Sequence, residues 1–112
     1  MPESEAVGPS LTDAMNRLWT KFLPQMEERV ATLQRAAENA SKGTLGGEEQ
    51  QKAASEAHKL AGVLGTFGLQ TGTELAREAE GLYAGALDRS VEVCARLTEI
   101  ADQLRVMIAR RG

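Results

Sequence analysis

The chain has 112 residues, 42% hydrophobic but only 4% aromatic, so its one core must come from Leu, Ala, Val, Ile and Met. That composition favours helices over sheet, and a net charge of −3 gives no basic surface for nucleic acid. A single cysteine, Cys94, excludes an internal disulfide, and no apolar run reaches the length of a membrane span.

The start, Met1-Pro2-Glu3-Ser4-Glu5, is acidic and lacks the basic region and apolar block of a secretion signal, so a cytoplasmic protein is expected. Residues 1–9, with Pro2, Gly8 and Pro9, read as a flexible tail ahead of a domain over 10–112. Ser10 can cap a helix, with Asp13 near its positive end. Leu11, Met15, Leu18, Trp19 and Phe22 then recur at helical spacing. Pro24 breaks or kinks this segment, or opens a new helix, which makes the first stretch a short N-terminal helix. Met26, Val30, Leu33 and Ala37 carry a stripe on to about Lys42.

Gly43-Thr44-Leu45-Gly46-Gly47 is a loop, without the Gly-Lys-Ser/Thr of a nucleotide phosphate loop. The next helix, from about Glu48 to Phe67, holds the only histidine and a stripe of Ala53, Ala57, Leu60, Ala61 and Leu64. Thr71 followed by Glu74 reads as a capping box for a helix that buries Leu75, Ala79, Leu82 and Ala86 and ends near Gly85. Asp88 can cap the last helix, whose stripe is Val91, Cys94, Leu97, Ile100 or Ala101, Leu104 and Ile108. Arg110 and Arg111 complement its dipole. Short connections make neighbours antiparallel, so the expected fold is all-α, an up-down antiparallel four-helix bundle with the short N-terminal helix attached.

At about 100° per residue, Gly62 and Gly65 fall on either side of His58, with Ala54 and Ser55 one turn earlier. The apolar stripe centres roughly 130° away, so the imidazole points outward from a bare patch. A helix-interior glycine costs about 1 kcal/mol relative to alanine, and at Gly62 close access by another backbone or a phosphoryl group explains that cost. Gly68 reads as the C-terminal cap. Gln51, Ser55, Gly62, Gly65 and Thr66 frame the patch, with Lys52 and Arg77 at its rim. One histidine without a nucleophile elbow makes no hydrolytic triad, and zinc or di-iron sites need several ligands that are absent from the sequence. The residues leave two readings of a lone exposed histidine, an ordinary surface side chain or a nucleophile for group transfer.

Within this stretch the order is a histidine, an apolar residue two on, a glycine four on and another ten on: His58, Leu60, Gly62 and Gly68, with Ala57 before and Phe67 at the apolar place. The pattern resembles the histidine-containing phosphotransfer (HPt) domain of multistep two-component phosphorelays. The resemblance covers most of the chain, although only this stretch is specific. It implies that Nε2 of His58 takes a phosphoryl group from a receiver-domain phospho-aspartate and passes it to another receiver. It implies partnership with response-regulator receivers and a hybrid histidine kinase, no ATP-dependent kinase activity, and no cofactor, magnesium belonging to the receiver. The Gln or Glu that such domains place beside the histidine, from the following helix, matches Glu80. Many members carry lysine three residues after the histidine; this chain has Ala61, leaving Lys59 as the candidate for phosphoryl stabilisation. A monomer is expected. Two other readings are a non-catalytic module that docks receivers or helical partners, which Ala61 favours, and a dimerising bundle exposing the Trp19 and Phe22 segment.

Overall fold

A computed structural model describes the backbone of residues 2–111 and the side chains of residues 10–111. It holds four helices, α1 Pro2–Lys42, α2 Gly47–Thr66, α3 Gln70–Tyr83 and α4 Val91–Arg111, with no strand among the described residues. Each helix packs on its neighbour in the chain and α4 closes back on α1, while the diagonal pairs make no close backbone approach. The short connections reverse direction each time, which gives the up-down four-helix bundle.

α1 is one continuous element, so the separate short N-terminal helix is absent. The helix begins at Pro2 rather than Ser10, and Pro24 neither starts nor breaks it. Pro24 and Thr20, whose carbonyl the proline leaves without an N–H partner, are both exposed, so water can take the freed group. Trp19, Met26, Val30, Leu33 and Ala37 are buried on both sides of the proline, and this packing carries the helix through.

Two helix ends close the same way. The Leu69 N–H donates to the Leu64 carbonyl at 3.0 Å and the Gly68 N–H to the Gly65 carbonyl at 3.1 Å, the paired bonds of a Schellman motif. Gly68 has φ +72°, so the glycine read as a cap from sequence is the left-handed residue that ends α2. Gly43, φ +74°, ends α1 by the equivalent bonds to Asn39 and Ala40.

The core is rich in alanine. Ala36, Ala53, Ala57 and Ala76 are fully buried around Met26, Leu60, Leu64, Ile100 and Leu104. All five residues of the predicted α2 stripe are buried. At Gly72 of α3 an added Cβ would stand 2.8 Å from Met107 Sδ and 3.1 Å from Leu64 Cδ1, so a larger residue forces these side chains to shift where three helices meet.

Elsewhere the stripes shift. Leu11 and Leu18 are exposed, as is Val91 at the start of α4. Leu82 is half-buried and Ala86 lies exposed beyond the end of α3, while Tyr83 is buried in their place. Thr71 lies inside α3, which starts after Leu69 without a side-chain cap, so the expected capping box does not form. α4 is capped by Ser90, whose Oγ accepts the Val93 N–H at 3.2 Å; Asp88 instead accepts the Ser90 N–H at 2.9 Å. Trp19 is buried, edge-on to Phe67 at 5.1 Å between ring centroids and covered by the Arg111 guanidinium at 4.9 Å. Phe22 also packs on Phe67, so this segment seals one end of the bundle rather than exposing an apolar patch.

Candidate functional site

His58 stands on the face of α2 opposite its alanine and leucine stripe, with 73% of its side chain exposed. Its Nδ1 lies 2.9 Å from Oε2 of Glu80, which reaches across from α3 and is itself 34% exposed. α2 and α3 come close enough for this contact because the residues between them are small, with Ala57, Ala61, Gly72, Ala76 and Ala79 all buried. An ionised carboxylate can only accept a hydrogen bond, so Nδ1 carries the hydrogen. In the neutral form of such a ring Nε2 keeps its lone pair, on a side chain that is 73% exposed.

The surroundings of the ring are open. At Gly62 an added Cβ would meet nothing within 4 Å, and at Gly65 only Thr73 Oγ1 at 3.7 Å, an ordinary contact. Neither glycine is therefore required by packing within the chain, in contrast to Gly72. Gln51, Ser55, Gly62, Gly65 and Thr66 are all exposed, and Thr66 Oγ1 donates to the Gly62 carbonyl at 3.1 Å.

Lys59 is turned toward a neighbour of its own helix. Its Nζ lies 3.8 Å from Glu56 Oε2, which also accepts from Arg29 of α1 at 2.7 Å. The Arg29–Glu56 pair is largely buried, at 12% and 16% side-chain exposure, and ties α1 to α2 behind the site. Because Arg29 already neutralises Glu56, the exposed ammonium of Lys59 is only loosely held there.

The acids of α3 divide by partner. Arg96 of α4 grips Glu78 with two bonds of 2.7 Å, and these hold the Glu78 carboxyl below its ordinary range. Arg96 also pairs with Glu99. Glu74 accepts from Gln70 at 3.3 Å. Glu80 alone of the three turns to α2.

Sequence reasoning overlooked two groups near the site. One is the Arg29–Glu56 pair. The other is Gln50, whose Nε2 donates to the carbonyls of Tyr83 and Gly85. Their partners lie far along the chain, and no local pattern marks them.

A groove of 600 Å³ between α1 and α4, lined by Ala31, Gln34, Ser41 and Thr98 among others, does not include His58. A highly exposed ring on a helix face suits transfer to and from another macromolecule better than capture of a small substrate. Among the described residues no three His, Cys, Asp or Glu side chains gather as a metal-holding group, and no helix is long and apolar enough to cross a membrane.

A family model described as Hpt domain matches residues 17–107, most of the chain. Protein RcaC of Microchaete diplosiphon is 35% identical over 71 residues, which are 63% of this chain and 11% of that protein. The chain thus spans a small part of that relative's length. No solved structure matches.

Proposed function

The chain belongs to the Hpt domain family, the phosphotransfer carriers of phosphorelays, and we propose that His58 is the residue on which it carries the phosphoryl group. The observation that supports this most is the pairing of Nδ1 with Glu80 at 2.9 Å on a ring that is 73% exposed. The donor in this reading is the phospho-aspartate of a receiver domain. The lone pair of Nε2 forms a P–N bond as the bond from phosphorus to the aspartate oxygen breaks, and the carboxylate leaves with its electron pair. The ring then carries positive charge, which the Glu80 carboxylate stabilises through the Nδ1 hydrogen. Return is the reverse: an aspartate oxygen of a second receiver bonds to phosphorus, the P–N bond breaks, and its electrons go back to Nε2.

Gln51, Ser55, Gly62, Gly65 and Thr66 form the surface that admits the receiver, and the missing side chain at Gly62 lets its backbone approach. Lys59 leaves Glu56 to meet the phosphoryl oxygens as a mobile point charge. The chain acts as a carrier without ATP-dependent kinase activity, charged through a hybrid histidine kinase, with magnesium held by the receiver. It works as a cytoplasmic monomer without nucleic acid.

The test is incubation with receiver domains charged by acetyl phosphate, with His58→Gln alongside. An acid-labile, base-stable phosphate adduct on the unaltered chain and not on the variant is the expected result. A second reading, a receiver-docking module that carries no phosphate, draws on Ala61 and on the turn of Lys59 toward Glu56. Receiver binding without any adduct would favour it.

A further inference from the structure

Glu80 sits three residues before the end of α3, and the end of that helix is held from outside by Gln50 of α2. The carboxamide nitrogen of Gln50 donates to the Tyr83 carbonyl and to the Gly85 carbonyl, each at 2.8 Å. Tyr83 is the last residue of α3, so its carbonyl has no partner within the helix. Gly85 has φ +73°, the left-handed backbone that turns the chain so that both carbonyls face one donor group. The Ala84 N–H donates to the Glu80 carbonyl at 2.9 Å, which makes Glu80 part of the turn so fastened. Arg89 donates to Gln50 Oε1 at 3.4 Å and steadies the carboxamide from the α3–α4 connection. α3 is the shortest of the four helices, and helix ends are the first places to open.

We infer that Gln50 is a positioning residue for His58: it clasps the final turn of α3 to α2 and so fixes the Glu80 carboxylate against Nδ1. Both ends of this loop of contacts lie on α2, with Gln50 and His58 about 12 Å apart along the helix at its ordinary rise. The consequence for phosphotransfer rests on the reading of His58 given above; the consequence for the ring does not.

Gln50 is half-buried in a surface groove of 370 Å³ whose lining includes the core residue Tyr83 beside Gln51, Ala54, Ala84 and Gly85, so the helical signal of each variant is read alongside the ring. The test uses the full chain labelled with ¹⁵N, read at alkaline pH where imidazole is neutral; the only histidine gives one set of ring signals. The unaltered chain is expected in the Nδ1–H form. Gln50→Glu sets a carboxylate against two carbonyls, and Gln50→Ala removes the donor. Both are expected to lose the Nδ1–H signal in favour of Nε2–H, while Gln50→Lys keeps a donor and keeps the signal. Retention of the Nδ1–H form in Gln50→Ala overturns the inference, and so does its loss in Gln50→Lys with the helical signal intact. If Gln50→Glu fails to fold, the alanine and lysine variants carry the same comparison. The ring measurement needs no phosphate. A tautomer indifferent to Gln50 beside normal adduct formation therefore counts against the clasp alone, and an altered tautomer in the variants beside no adduct on the unaltered chain counts against the carrier alone.

Discussion

A carboxylate 2.9 Å from Nδ1 does two things for an exposed imidazole. It fixes which nitrogen holds the hydrogen, and it restrains a side chain that would otherwise sample several rotamers at the surface. Removing that restraint should slow transfer without touching the core. Glu80→Ala is expected to reduce the transfer rate about tenfold, the equivalent of one charge-assisted hydrogen bond of ~1.4 kcal/mol. Glu80→Gln keeps an acceptor oxygen and should retain more of the rate. Equal rates for Glu80→Ala and the unaltered chain, measured with one charged receiver, would show that Glu80 does not orient the ring. Gly62 makes a complementary case. Since an added Cβ there meets nothing within 4 Å and the position is exposed, Gly62→Leu should hold or raise stability by up to about 1 kcal/mol in a denaturant titration. The same variant should bind receivers poorly, and normal transfer would mean that the glycine does not serve access.

Among the helices, α2 was the most legible from sequence. Its stripe follows the helical period without interruption, its end is marked by Gly68, and every stripe residue is buried. α1 was misread at Pro24, because local rules price the lost hydrogen bond but not the packing of Trp19 and Met26 on either side. The cap of α4 was read at Asp88, whereas Ser90 takes that role and Asp88 holds the Ser90 N–H in the turn before it. Gly72 carried no local signal, since its reason lies in Met107 and Leu64 on two other helices. Gly72→Ala should therefore destabilise the bundle by about 1–3 kcal/mol through overpacking, despite alanine's better helix propensity. A denaturation midpoint equal to or above that of the unaltered chain would show that Met107 yields without cost. Glu80 was legible for a different reason. The resemblance marked its position, and only the approach of α3 to α2 put its carboxylate on the ring.

Over the whole molecule the bundle divides its labour by face. The α2–α3 face carries the exposed histidine, and the alanine-rich interior behind it keeps the two helices close. Tyr83, at the end of α3, reports on that interior. Burial first, then the neighbouring Cys94 and Glu49, push its phenol above the ordinary range. The unfolded chain releases this proton near pH 10, whereas the folded chain keeps it. The folded state therefore binds more protons above that pH, and stability present below about pH 10 is lost as pH rises further. The chain has one tyrosine, so phenolate absorbance and loss of helical signal should rise together in an alkaline titration. Phenolate formation with the helices intact would contradict the burial. The measurement closest to the central claim is phosphoryl transfer from charged receiver domains to the unaltered chain and to His58→Gln. The account predicts an acid-labile adduct on the first, none on the second, and denaturation curves within about 0.5 kcal/mol of each other, since an exposed side chain adds little to the core. An adduct of equal yield on His58→Gln would contradict it.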